Sequence, residues 1–209
     1  ESIEPEFLRY IRGQGLTGLS DSEIYQAFDC AYDYDIFGIF RDYLEGKRPL
    51  SAYAEAVTRQ ESTFPENYVK LRYLENHDVP RAAQVIGDDT AMLNWLAFLY
   101  FQKGMTLLYG GQEVGAAHRP GLFDKDDVIW KTGIDHSDLM RRLYEIKQDP
   151  LFADSAYSVT AAPREILVAR HEKGNQRLVG IFSVQGSSSL VEVALPDGQY
   201  ENLLTGDAV

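Results

Sequence analysis

The side chains best placed to do chemistry lie together in Lys70-Leu71-Arg72-Tyr73-Leu74-Glu75-Asn76-His77-Asp78. A short strand-like run ends there in an amide, an imidazole and a carboxylate, all able to hydrogen-bond and two able to titrate. A (β/α) barrel sets its catalytic side chains in this way, at the C-terminal rim of its strands. Asn, His and Asp also suit turns, so the tripeptide alone equally describes a polar strand-to-loop turn. A second run, Met105-Thr106-Leu107-Leu108-Tyr109, ends in the polar cluster Gly110-Gly111-Gln112-Glu113. Two such endings roughly thirty residues apart match the repeat of a βα unit in an eight-unit barrel of about 250 residues.

Other candidate motifs fail on context. Gly13-Gln14-Gly15-Leu16-Thr17-Gly18 has the glycine spacing of a dinucleotide loop, but it follows a helical stripe rather than a strand, and a plain loop is expected. Asp124-Lys125-Asp126-Asp127 lacks the glycine and distal Glu of an EF-hand and reads as a solvated acidic loop. His77, His118, His136 and His171 show no metal-ligand spacing, and no H-E-x-x-H, G-x-S-x-G or Walker loop occurs. No metal site and no cofactor are expected in this chain.

The elements that must hold these residues belong to a chain of 209 residues with 44% hydrophobic, 12% aromatic and 25% charged residues, enough to bury a real core. Twenty Lys+Arg against 32 Asp+Glu give a net charge of -12, which argues against a nucleic acid or anionic lipid partner and for a neutral or cationic ligand. A single cysteine, Cys30, excludes a disulfide within the chain. The most apolar stretch, Ala91 to Tyr109, is interrupted by Asn94, Gln102, Lys103 and Gly104 and falls short of the roughly 18 residues a membrane span needs, so no membrane partner is expected.

The character of the sequence changes once, near Asp149-Pro150, which divides it into residues 1–149 and 150–209. Before the change, helical periodicity alternates with short apolar strands. Phe7, Tyr10 and Ile11 form an i, i+3, i+4 stripe behind Pro5. Tyr34 to Leu44, Ala52 to Arg59 and Leu139 to Lys147 are helical, and Ala91 to Phe101, capped by Asp89-Thr90, is apolar nearly all round and should be buried. Ala27 to Tyr32, Val69 to Leu74 and Met105 to Tyr109 read as strands, and the alternation implies an α/β fold with a parallel sheet. After Pro150, strands are expected at Glu165 to His171, Arg177 to Val184, Ser189 to Leu195 and Gln199 to Leu204, separated by turn chemistries such as Lys173-Gly174-Asn175. This is the pattern of an antiparallel β domain.

These motifs resemble glycoside hydrolase family 13, the α-amylase family, over essentially the whole length. Leu74-Glu75-Asn76-His77-Asp78 is similar to that family's seventh-strand motif, and Gly104 to Gly115 to its eighth-strand segment, with Thr106 where the family usually has Pro and Lys103 where a Pro often precedes the Gly. Glu1-Ser2 resembles the end of the fifth strand, and Ala27 to Asp33 the sixth. The resemblance implies the C-terminal half of a TIM (β/α)8 barrel, strands five to eight, followed by an antiparallel β-sandwich domain. With about 31 residues per βα unit, residues 1–149 are too few for eight units, and the absent Met and the turn signal before Val209 lead us to expect a chain truncated at both ends.

Carried over residue by residue, the resemblance makes Glu1 the general acid/base and Asp78 the carboxylate that binds sugar hydroxyls and stabilises an oxocarbenium-like transition state. His77 would donate a hydrogen bond to the same sugar, with Asn76 beside it among the substrate-binding residues. Such chemistry needs one carboxyl protonated beside another kept ionised, and a retaining enzyme also needs a nucleophile roughly 5 Å from the acid. In this family the nucleophile is an Asp on the fourth strand, before Glu1, so the isolated chain is expected to be inactive. The implied partner is an α-glucan or oligosaccharide. Calcium ligands, where the family has them, would lie in the N-terminal part. Gln112 and Glu113 are expected to shape the rim or to support the acid-base network, and Tyr109 to be core. A non-catalytic scaffold or sugar-binding homologue and an α-glucan transglycosylase stay open as alternatives, and exposed half-barrel edges invite self-association.

Overall fold

The computed structural model describes residues 3–209. Its chain runs α1 (Pro5–Gly13), α2 (Asp21–Ile24), β1 (Cys30–Tyr32), α3 (Tyr34–Leu44), α4 (Leu50–Thr63), β2 (Val69–Arg72), α5 (Ala82–Ile86), α6 (Asp89–Phe101), β3 (Met105–Thr106), α7 (Ser137–Lys147), α8 (Leu151–Asp154), β4 (Ala156–Ala162), β5 (Ile166–Lys173) and β6 (Gln176–Ser183). The strands β1, β2 and β3 form a parallel sheet in that order, with Tyr32 opposite Leu71 and Arg72 opposite Thr106. A helix pair crosses over between each two strands, as parallel pairing requires. β1, β2 and β3 stand where the sixth, seventh and eighth strands were expected. The expected fifth-strand end, Glu1-Ser2, lies outside the described residues.

Each strand is shorter than its apolar run: β2 and β3 stop early at the rim end, whereas β1 begins three residues after Ala27 and keeps its end at Tyr32. Gly104 shows what close pairing demands. Its φ is +112°, and a Cβ there would stand 2.4 Å from the carbonyl oxygen of Lys70, so only glycine lets β3 lie beside β2.

Alternation along β2 sends Lys70 and Arg72 to one face and Val69 and Leu71 to the other. Both cations are fully buried against the helices. Lys70 pairs with Asp21 and with Asp35 (2.7 Å), and Arg72 with Asp33 (2.8 Å) and Gln60 (2.6 Å). Buried charge persists only with such partners.

The apolar helix is buried as expected, with Trp95, Leu96, Phe98 and Leu99 out of contact with water. Its N-cap is Asp88, whose side chain accepts from the Ala91 backbone at 2.7 Å, one residue earlier than the sequence suggests. α6 joins the two sheets: Trp95 packs on Phe40 (4.9 Å between rings) and Phe98 on Phe182 of β6 (5.4 Å). One continuous core runs from α3 through α4 and α6 to β4, β5 and β6.

The antiparallel region is a meander of three strands, β4-β5-β6, in which Gly174-Asn175 turns between the last paired residues Lys173 and Gln176. Two of the expected strands, at Glu165 to His171 and Arg177 to Val184, are β5 and β6. Ser189 to Leu195 forms no strand, because Leu190 stands in solvent with nothing to pack on, and Gln199 to Leu204 contributes only the bridge Glu201 to Ala208. β4 was not foreseen. Tyr157, Val159 and Thr160 suit a strand, and it is also held from outside: Thr58 of α4 donates to the Val159 carbonyl and accepts from the Val159 N–H, both at 2.8 Å. The stripe of Phe7, Tyr10 and Ile11 does lie on a helix, α1; Phe7 and Tyr10 are 56% and 63% exposed and stack on each other, while Leu8 is the buried residue.

His171 ties β5 to the barrel helices. Its Nε2 donates to the Phe101 carbonyl and its Nδ1 pairs with the Ser155 hydroxyl, each at 2.8 Å. Burial lowers its pKa from 6.5 to about 4, with Lys147 and Lys103 adding to the effect against the Phe101 carbonyl. The folded ring therefore stays neutral while the unfolded one takes a proton. The stability it contributes is intact above pH 6.5 and falls by about 1.4 kcal/mol per pH unit until the folded ring protonates near pH 4. Urea unfolding of wild type and His171→Gln should show the gap between them narrowing by about 2 to 3 kcal/mol from pH 7 to roughly pH 4.5.

Candidate active site

Beyond β2 the chain dips before it reaches solvent. Tyr73, Leu74, Glu75 and Asn76 are buried, and exposure returns only at His77 and Asp78, whose side chains are each 42% accessible. The break in burial separates residues that build the rim from residues a ligand can reach.

Glu75 builds it. One carboxylate oxygen accepts from Arg81 at 2.7 Å and the other from the Ala82 backbone at 2.5 Å. Burial raises the pKa of Glu75, while Arg81 and the Ala82 N–H work to keep it ionised. Arg81 also donates to the carbonyls of Gly110 (2.9 Å) and His118 (3.2 Å) and lies on the Tyr109 ring, 4.3 Å from its centroid. One buried guanidinium thus fastens the rim after β2 to the rim after β3. Neither Glu75 nor Arg81 stood out in the sequence, because the pair is completed by carbonyls about thirty residues away.

The second rim is shaped as expected by Gln112 and Glu113. Gln112 is buried, with its Oε1 3.3 Å from the Tyr109 N–H, and Glu113 accepts from the Gly111 N–H at 2.9 Å. Tyr109 is half-buried under Arg81. The loop that follows returns to the first rim, where Arg119 donates to the His77 carbonyl through Nε (3.2 Å) and Nη2 (2.9 Å). In the acidic stretch, Asp126 accepts from the Gly121 N–H and from His118 and is a loop brace. No group of three or more His, Cys, Asp or Glu able to hold a metal occurs among the described residues. The glycine-spaced segment Gly13 to Gly18 directly follows the helix α1 and leads to α2, so it lacks the strand-to-helix context of a dinucleotide loop.

Of the expected site residues, the structure brings Asn76, His77 and Asp78 together and adds Tyr34, the first residue of α3. The Tyr34 hydroxyl donates to Asp78 Oδ2 at 2.8 Å, Asn76 Nδ2 donates to the Tyr34 oxygen at 2.9 Å, and Asn76 Oδ1 accepts the Asp78 backbone N–H at 2.8 Å. His77 Nε2 lies 3.4 Å from Asp78 Oδ2. Asn76, expected at the substrate, is 2% exposed with both ends of its amide engaged, so its geometry is that of a support. Glu1 lies outside the described residues. The groups open to a ligand are the Asp78 carboxylate and the His77 ring, a combination suited to gripping hydroxyl groups.

Polar, partly open strand ends on a parallel sheet with helical crossovers are the arrangement of the C-terminal rim of a (β/α) barrel. Residues 41–156 match the family model of the alpha amylase catalytic domain, and residues 158–209 that of the bacterial alpha amylase C-terminal domain. The chain belongs to the alpha-amylase family. It superimposes on the crystal structure of an alpha-amylase from Lactobacillus plantarum with a TM-score of 0.91 and 39% identity, covering 100% of this chain and 49% of that one. It is 22% identical to alpha-amylase 1 of Schwanniomyces occidentalis over 90% of this chain and 40% of that protein. A probable oligo-1,6-glucosidase 3 of Bacillus subtilis (strain 168) is 26% identical over 58% and 25% of the two chains. The chain spans half or less of the length of these relatives.

Proposed function

We propose that the protein acts as part of a retaining glycoside hydrolase on α-glucosidic bonds of glucans or oligosaccharides. The observation that carries this reading is an ionisable carboxylate, Asp78, held by hydrogen bonds at an open rim beside His77. A group kept only for stability gains nothing from such exposure. In this reading Asp78 and His77 hold hydroxyls of the sugar whose bond is cleaved. Glu1 protonates the departing glycosidic oxygen, and a carboxylate from a strand preceding Glu1 attacks the anomeric carbon to form the glycosyl-enzyme. The net charge of -12 fits a neutral ligand such as a glucan.

The test is turnover of soluble starch and maltooligosaccharides by the full-length protein and by the isolated 209-residue chain. The full-length protein should release reducing sugar of retained α configuration, and the isolated chain should be slower by at least about a thousandfold. Inversion at the anomeric carbon, or comparable turnover by both, would overturn the reading.

A further inference from the structure

Tyr34 is brought to the rim by topology alone. It follows β1 and Asp33 directly, and the parallel pairing of β1 with β2 sets the start of α3 beside the end of β2. Its ring is packed on two sides, stacked on Tyr32 (5.3 Å between centroids, 25° between planes) and edge-on to Tyr73 (5.6 Å, 69°). A ring seated between two others has little torsional freedom, so its hydroxyl is a fixed point.

From that point a closed circuit runs through the site. The Asn76 amide donates to the Tyr34 oxygen, the Tyr34 hydroxyl donates to Asp78 Oδ2, and the Asp78 N–H returns to Asn76 Oδ1. Backbone and carboxylate of Asp78 are thereby held at two separate places, although its side chain is 42% accessible and would otherwise turn about two torsions. Oδ2 is occupied by the phenol. Among the described residues Oδ1 carries no hydrogen bond.

We propose that Tyr34 is the positioning residue of Asp78: it clamps Oδ2 and so presents Oδ1, already oriented, to a hydroxyl of the bound sugar. Its effect is the entropy and misalignment that a mobile carboxylate would otherwise bring to the transition state, where small displacements of a positioning group lower rates steeply. This rests on the reading of Asp78 as a substrate-binding carboxylate. It also accounts for Asn76, whose buried amide serves the clamp.

A mutant cycle in the full-length protein tests the clamp. Tyr34→Phe keeps the ring packing and removes the hydroxyl; Asp78→Ala removes the group it positions. kcat/KM is measured on α-glucosyl fluoride, an activated donor whose turnover remains measurable in weakened enzymes, with the thermal unfolding midpoint of each variant recorded alongside. Tyr34→Phe should lose roughly 10- to 100-fold with Asp78 present, mainly in kcat, and less than about twofold in the Asp78→Ala background, since residues acting as a unit are not additive. Equal losses in both backgrounds, or no loss with Asp78 present, would overturn the positioning role while leaving the function proposed above intact. Wild-type turnover by Asp78→Ala alone would defeat that function itself, and the role of Tyr34 with it.

Discussion

Asp78→Asn in the full-length protein is expected to lower kcat on α-glucan by about a thousandfold while leaving the fold unchanged. Asparagine has the shape of aspartate and can still accept from the Tyr34 hydroxyl at the position of Oδ2. What disappears is the negative charge. A carboxylate accepting hydroxyl protons is a charge-assisted partner, roughly twice as strong as a neutral one, and it also stabilises positive charge developing at the sugar ring. The amide does neither. Asp78 is exposed and lies outside the main core, so the free energy of unfolding in urea should stay within about 0.5 kcal/mol of wild type. Steady-state kinetics with maltooligosaccharides check this, and turnover within tenfold of wild type would remove Asp78 from the chemistry.

The largest effect on stability is expected from Arg81→Ala, a loss of about 3 to 5 kcal/mol. Arg81 is fully buried and Glu75 almost so. Truncating the arginine leaves a carboxylate in the interior with only the Ala82 N–H, and it leaves the carbonyls of Gly110 and His118 short of a donor. Glu75, whose pKa burial already raises, then takes up a proton more readily in the folded state than in the unfolded one. The sign follows. A carboxyl whose folded pKa lies above its unfolded value lowers stability as pH rises through the unfolded value, so the deficit should be largest near neutrality and shrink towards roughly pH 4. Removing both charges in Glu75→Gln/Arg81→Met should recover part of the loss, because an uncharged pair leaves no isolated ion. Denaturant unfolding at the two pH values separates these effects. Because Arg81 fastens the two rims together, the alanine variant should also lose activity under conditions where it remains folded.

Much of the architecture was legible because it is local. The bounds of α3 agree residue for residue with the periodic stretch Tyr34 to Leu44, and the burial of α6 follows from an apolar surface that leaves no polar side to face water. The turn between β5 and β6 was marked by Gly174-Asn175, where Gly174 takes a positive φ. The Asn76-His77-Asp78 cluster was visible as a strand ending in polar groups. β4 escaped notice because its pairing with β5 and its hydrogen bonds to Thr58 come from elsewhere in the chain. The stripe of Phe7, Tyr10 and Ile11 marked the helix α1, but periodicity shows only that a helix is two-faced, while its neighbours decide which face is covered.

The sequence by itself determined where the helices and most strands form, which strand end carries ionisable groups, and the family to which those motifs belong. All of these depend on residues within a few turns of one another. Only the tertiary structure decided what each of those groups does. Tyr34 and Asp78 are 44 positions apart and meet because β1 and β2 pair in parallel. That meeting turned Asn76 from an expected ligand contact into a support and left Asp78 Oδ1 without a hydrogen bond among the described residues. Hydrogen bonds act over about 3 Å, so their partners are set by how the sheet registers and the helices pack, which no short stretch of sequence encodes.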